Sequence, residues 1–423
     1  MSVAAAPRLA ASAGTASIAA RLPRLAVLGV IALVVVGAPF LTDPVDSTRF
    51  SEAIAFAVIG LSLNVLLGYV GSISLGHAAF VGVGSFASAY MVSQQGQPFV
   101  VGVVVAALIG GAQAGLLGIL SLRVTGLYFA LITLAYGAMA QDTLFGIDSL
   151  TGGGAGQEAP NPFGPSAFRA YYFLSLAVLG LVLYVDWSLM RSKAGRALLA
   201  LRENPRVAAS LGIDVKAFTL LGFVISGTFA GIGGALFAHN VGQANSQVYS
   251  FNLTLIFVIM TVVGGLRNRA GVVVGSALFA LITYVIEKVP GLAGRFENAD
   301  STIPVIALLV FGGILVNEAV GGRLGQRPRL AVQILCAIMV LLALAIIAPG
   351  TVPLAETQLR ELPALTPEIG RLVLGPVLLL VVLTRLPGGI GQLITPFSRW
   401  IGGHDFEWSS GKVEEVQVND VRA

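Results

Sequence analysis

"GYVGSISLGHAAFVGVGSFASAY", residues 68–90, carries one histidine, many glycines and serines, and no Asp, Glu, Lys or Arg. So apolar a stretch belongs either in a bilayer or deep in a large core, and its surroundings decide which. Of the chain's 423 residues, 56% are hydrophobic and only 11% are charged, and the mean hydropathy is +0.87. Soluble domains carry about 25% charged residues. So few charges cannot cover a water-facing surface, and lipid must face much of the chain. Outward from 68–90, apolar runs long enough to cross a hydrocarbon core of about 30 Å as a helix recur at 25–42, 51–70, 73–92, 98–121, 125–145, 170–187, 217–239, 251–266, 270–287, 303–320, 330–349 and 371–386. An outer-membrane barrel would show short alternating strands instead. The expected fold class is an all-α polytopic membrane protein of about 10–12 transmembrane helices.

The glycines in the opening stretch have a physical reading. Small residues let transmembrane backbones approach closely where lipid offers no hydrophobic drive, and Gly76, Gly82 and Gly84 serve that purpose. A break at Gly68–Ser74 would be non-helical backbone at membrane depth, tolerated only where it is buried in protein or lines a cavity. Transporters place such broken helices at the solute path, where free N–H groups meet a carboxylate. Candidate path residues are Asn64, Ser72, Ser74, His77, Tyr128, Thr133, Tyr136, Ser226 and Thr228. Each is equally readable as a polar group in helix packing, and for His77 a single interhelical hydrogen bond is favoured over solute contact. No second His or carboxylate near His77 suggests a metal site, and His239 is placed at the membrane interface. The ionisable Glu52, Asp142, Asp186, Glu287 and Glu318 all fall near span ends. That leaves no midplane carboxylate for a proton-coupled carrier and suits an apolar or net-neutral solute.

Threaded alternately from a cytoplasmic N-terminus, the runs leave only Arg49, Arg169, Lys288, Arg295, Arg360 and Arg371 of the 25 Lys and Arg outside. The excess lies inside, as the positive-inside rule requires, so both termini are expected in the cytoplasm of a bacterial inner membrane. The net charge of +4 then reflects orientation and gives no reason to expect a nucleic-acid partner. The single Cys336 cannot form an intrachain disulfide. The expected organisation is a disordered 1–24, a permease domain over 25–320, additional C-terminal spans over 321–402 and a disordered tail over 403–423.

One inner loop is long and patterned: "RSKAGRALLALRENPRVAASLGIDVK", residues 191–216. Good helix formers run from Ala194 to Glu203. Asn204 is then placed to cap a second helix, Pro205 suits its first position, and Gly212 supplies a left-handed ending. A loop that merely connected spans would need no broken and re-capped helix. Val207, Ala208 and Leu211 are expected on one side of the second helix.

These residues resemble the coupling loop of ABC-importer permeases, in particular the LivM-type permeases of branched-chain amino acid transporters. "LNVLLGYVGSISLGHAAFVGVGSFASAY", "TGLYFALITLAYG", "LTGGGAG", "FVISGTFAGIGGALFAH" and "IMTVVGGLRNRAGVVVGSALFA" resemble further segments in the same order, together covering about 50–320. Two features depart from the pattern: Arg267-Asn268-Arg269 with Val272-Val273-Val274 replaces a shorter polar step and Gly-Pro, and apolar runs continue beyond 330. The resemblance implies a permease with two cytoplasmic ATPase subunits, a second homologous permease and a periplasmic or lipid-anchored solute-binding protein as partners. It places Glu203, Asn204, Ala208, Ala209 and Gly212 on ATPase-coupling positions, flanked by Arg202 and Arg206. It also implies an inverted repeat, for which the faint echo between 66–85 and 262–276 is a candidate trace. The chain contains no G-x-x-x-x-G-K-[ST] motif. It is therefore expected to be no enzyme and to bind no cofactor, ATP being hydrolysed by the partner subunits. The rival expectation is a twelve-helix secondary carrier without an ATPase.

Overall fold

The structure, a computed structural model, describes residues 29, 33–41, 46–124, 126–152, 156–164, 166–288, 388–392 and 394–395. The runs 303–320, 330–349 and 371–386, the terminal segments 1–24 and 403–423, and Cys336 lie outside the described residues.

Helices account for nearly all of it. α1 covers 33–41, and α2 runs Asp46–Leu63 and continues as a π-helical turn over Asn64–Val70. α3 (His77–Ser93), α4 (Phe99–Ser121) and α5 (Leu127–Asp142) follow. After a 3₁₀ turn and the short α6 (Asp148–Thr151) comes α7 (Phe168–Arg191). α8 (Lys193–Glu203) and α9 (Pro205–Ser210) precede α10 (Val215–Val241), α11 (Phe251–Gly264) and α12 (Arg269–Lys288). Two two-residue strands, β1 (Gln157–Glu158) and β2 (Gln243–Ala244), pair antiparallel at one end.

Among the described residues four helical stretches are long and apolar enough to cross a membrane: Asp46–Val70, Phe99–Ser121, Phe168–Arg191 and Val215–Val241. α3, α5 and α11, of 17, 16 and 14 residues, are shorter than the apolar runs 73–92, 125–145 and 251–266 in which they lie almost entirely. These helices begin or stop where the backbone leaves the helix, at 71–76 before α3, at the 3₁₀ turn Leu144–Gly146 after α5 and at Gly265 (φ +104°) after α11. The chain is a multi-pass integral membrane protein whose spans include broken helices.

α2 is the central axis. Every residue from Ser51 to Leu66 is buried, as expected of a helix that is apolar all round. α10 runs antiparallel beside it, with Ser226 opposite Ser62, Gly233 against Ile59 and Asn240 reaching Thr48. Small residues set the spacing. A Cβ on Gly231 would collide with the Ala106 carbonyl of α4, and one on Gly227 with that of Gly110. Close backbone approach at these seams gives the dispersion contacts that hold transmembrane helices together.

The break in the opening stretch lies slightly later than its sequence suggests. Helical backbone persists to Val70, and Gly71 (φ +80°) ends the π turn by returning its N–H to the Leu66 carbonyl. Residues 71–76 are non-helical, and α3 starts at His77. The freed backbone is satisfied from neighbouring helices: Leu75 N–H donates to Thr133 Oγ1 at 2.9 Å and Ala78 N–H to Thr254 Oγ1 at 3.0 Å. A second break follows α10 at the opposite end, where 245–250 leads inward to Tyr249, buried against Phe86 and Phe145. The α2–α3 and α10–α11 pairs thus share a long helix, a break and a short helix in inverted sense. The echo between 66–85 and 262–276 is not the trace of this relation. Its two turns lie at the same end, where the Arg267 N–H donates to Asn64 Oδ1.

Candidate functional site

Three polar constellations lie along the axis of α2. The first is the loop 191–216. Ser192 caps α8, accepting from Ala194 N–H and Gly195 N–H. Asn204 Oδ1 caps α9, accepting from Arg206 N–H at 3.0 Å and Val207 N–H at 3.2 Å, with Pro205 at the first position. Gly212 (φ +80°) and the Ile213 N–H returning to the Ala208 carbonyl close the helix. Val207, Ala208 and Leu211 do not share one fate. Ala208 is buried, whereas Val207 is 53% and Leu211 73% exposed, because a helix of one and a half turns seats only one residue on the protein. Glu203, Asn204, Ala209 and Gly212 are exposed. Arg202 is half-buried and donates to the Gly68 carbonyl. Burial, and then the nearby charge of Arg267, hold its guanidinium below its ordinary value.

The second constellation lies just above this loop. Asn64 donates to Tyr69 Oη at 3.1 Å, and Tyr69 Oη donates to Asp186 Oδ2 at 3.2 Å. Arg269 pairs with the same carboxylate, and Arg267 with Glu203 at 3.1 Å. Asn64, a candidate for the solute path, is fully buried and its side chain bonds to Tyr69 and to the Arg267 N–H. Asp186 is near a span end as expected, but it is fully buried and ion-paired there.

The third constellation is at mid-depth. Ser62 Oγ donates to the Ser226 carbonyl at 2.7 Å, and Ser226 Oγ returns a bond to the Ser62 carbonyl at 2.9 Å. With its proton committed, Ser62 Oγ accepts from His77 Nε2 at 2.9 Å. His77 thus makes one interhelical bond, while its Nδ1 is a buried acceptor without a partner, as Ser74 Oγ is a buried hydroxyl without one. Thr133 closes the group from α5 by accepting from Leu75.

The remaining candidates disperse. Tyr136 donates to Gln113 Oε1 at 2.7 Å, Thr228 packs where α10 meets Gly111 of α4, Ser72 is half-buried, and Tyr128 is 73% exposed on the outer face of α5. His239, in the last turn of α10, is buried within the protein, its Nδ1 donating to the Pro160 carbonyl at 2.8 Å and its Nε2 accepting from Ser88 at 3.1 Å. With Asn240 and Tyr171 it lines a cavity of about 370 Å³ at the end opposite the loop. Ser62, Tyr69, Gln113 and Thr254 escaped the sequence reading. A lone Ser or Thr in an apolar run carries no signal until its partner helix is known.

Residues 48–382 match the family described as "Branched-chain amino acid transport system / permease component". The chain is similar to the high-affinity branched-chain amino acid transport system permease protein LivM of Salmonella typhimurium, 27% identical over 277 residues, covering 59% of this chain and 65% of that one. It is also similar to LivM of Escherichia coli K12, 29% identical over 254 residues, covering 53% of this chain and 60% of that one. A shorter match, 34% identical over 155 residues, links it to the autoinducer 2 import system permease protein LsrC of Enterobacter sp., covering 36% of this chain and 43% of that one. The chain thus spans less than two thirds of the LivM relatives it matches. No solved structure matches it significantly.

Proposed function

The chain belongs to the branched-chain amino acid transport system permease family, and from that premise we propose that it is the transmembrane permease subunit of an ATP-driven ABC importer. Its solute is a branched-chain or other hydrophobic amino acid, or a related small neutral solute. The observation that carries this reading is the re-capped α8–α9 loop, a short helix with Val207 and Leu211 exposed beside Ala209 and Gly212. Neighbouring exposed apolar side chains on a capped loop helix form a patch suited to contact with another protein.

The partner at that face is a cytoplasmic ATPase, two copies of which serve the chain and a second homologous permease. A periplasmic or lipid-anchored binding protein delivers the solute at the opposite end, and both termini lie in the cytoplasm. The chain itself binds no cofactor and hydrolyses nothing. The solute path runs by the outward face of α5, past Tyr128, towards the start of α3. There Ser74 Oγ and His77 Nδ1 supply unpaired polar atoms for the polar end of an otherwise apolar solute.

The test is affinity purification of the tagged full-length chain from mildly solubilised membranes, beside a Val207→Asp/Leu211→Asp variant. An ATPase chain and a second permease should come down with the parent and be depleted with the variant. A chain that comes down alone and moves solute without ATP would overturn the reading.

A further inference from the structure

We infer that Arg202 and Glu203 are positioning residues that bind other segments of their own chain and tie the coupling loop to the break in α2. On this account they transmit the ATPase's displacement and do not contact the ATPase. The inference rests on the permease reading above and goes beyond it by assigning the element that receives the stroke.

The geometry is specific. Arg202 and Glu203 end α8, directly before the cap of α9. Arg202 donates to the carbonyl of Gly68, inside the π-helical turn. That carbonyl has no helical partner to lose, since the Gly71 and Ser72 N–H groups both return to Leu66. A guanidinium at a helix C-terminus also meets the negative end of the helix dipole. Glu203 pairs with Arg267, in the turn between α11 and α12. Arg267 is the one non-glycine residue with positive φ among the described residues, at +69°. A left-handed non-glycine residue persists only where its surroundings hold it there, and such residues gather at switch regions. Two groups hold this one: Asn64 Oδ1 accepts its N–H at 2.7 Å, and Glu203 takes its side chain.

Asn64 begins the π turn, so both tethers converge on one element. π-helical turns are rare, and they are frequent at functional sites. Tyr69, Asp186 and Arg269 then brace the same turn against α7 and α12. A displacement of α9 is thereby carried through Arg202 and Glu203 into Asn64–Val70. From there it reaches residues 71–76, whose Ser74 and Leu75 lead to the unpaired atoms at the start of α3.

The Glu203–Arg267 pair is well exposed, at 69% and 45% of the side chains. Such pairs add little to stability, so changing them leaves folding intact. The experiment uses the complete assembly in proteoliposomes with leucine as the probe, measuring ATP hydrolysis and uptake together. Glu203→Arg and Arg267→Glu, each alone, should assemble and hydrolyse ATP while uptake per ATP falls about tenfold, within the range reported for mutations along coupling networks. Glu203→Arg combined with Arg267→Glu should recover most of the loss. Single variants that keep uptake per ATP, or a double variant as poor as the singles, would overturn the inference alone. So would single variants that lose the ATPase on purification, which would return Glu203 to the docking face. A parent chain that assembles with no ATPase would overturn the permease reading instead.

Discussion

Asn204 shows how much one side chain sets locally. Its Oδ1 satisfies two N–H groups at the start of a helix of only six residues. Replacing an N-cap by alanine costs about 1 kcal/mol, and a helix this short has no cooperative reserve. Asn204→Ala should therefore raise amide hydrogen exchange over 205–211 and weaken ATPase co-purification, whereas Asn204→Asp, which keeps the acceptor, should do neither. Ala208 is the one residue of α9 that seats on the protein, so enlarging it should lift the helix without touching the cap. Local chemistry of this kind is legible in a sequence, because Asn-Pro after a helical run has one economical reading. The inward tie of Arg202 is not legible, because its acceptor is a backbone carbonyl 134 residues away.

The elements differ in how tightly they are held. α10 is built for contact with α4: Gly227 and Gly231 lie against the backbone of Gly110 and Ala106, with no room for a Cβ. Gly180, in α7, has nothing within 4 Å of the Cβ it lacks. The two sites predict opposite outcomes for the same chemical change. Gly231→Ala should cost about 1–3 kcal/mol or more by overpacking and lower the thermal midpoint in detergent. Gly180→Ala should leave the midpoint unchanged or raise it by the stability equivalent of about 0.5–1 kcal/mol. Equal destabilisation by both would refute close backbone packing as the basis of the α4–α10 seam. α5 is held more lightly, with Leu127, Tyr128, Leu131 and Met139 exposed and its polar ties running through Thr133 and Tyr136.

On the scale of the molecule, the distribution of charge predicts the orientation. Loop 191–216 and the turn at 267–269 gather basic residues at one end, while 157–164 and 239–244 form the other. Cysteines introduced as Ser210→Cys and Gln97→Cys, with Cys336 replaced by alanine, should label with an impermeant reagent from opposite faces of the membrane. Ser210→Cys should react only from the cytoplasmic side. Labelling of both from one side would invert or break the topology.

The sequence by itself determined the membrane class, the approximate place of the broken helix near residue 70, and the two capped helices of loop 191–216. Apolar runs, basic loops and cap residues each act within a few positions, so their effects can be read in order along the chain. Only the tertiary structure decided which polar residues meet. It joined Ser62 to Ser226 and His77, brought Asn64 to the Arg267 N–H, and paired Asp186 with Arg269. Apart from Ser62–His77, those partners are 83 to 203 residues apart. A polar group in an apolar helix can bond to almost any neighbour, so only the packing of α2 against α7, α10 and α12 selects its partner.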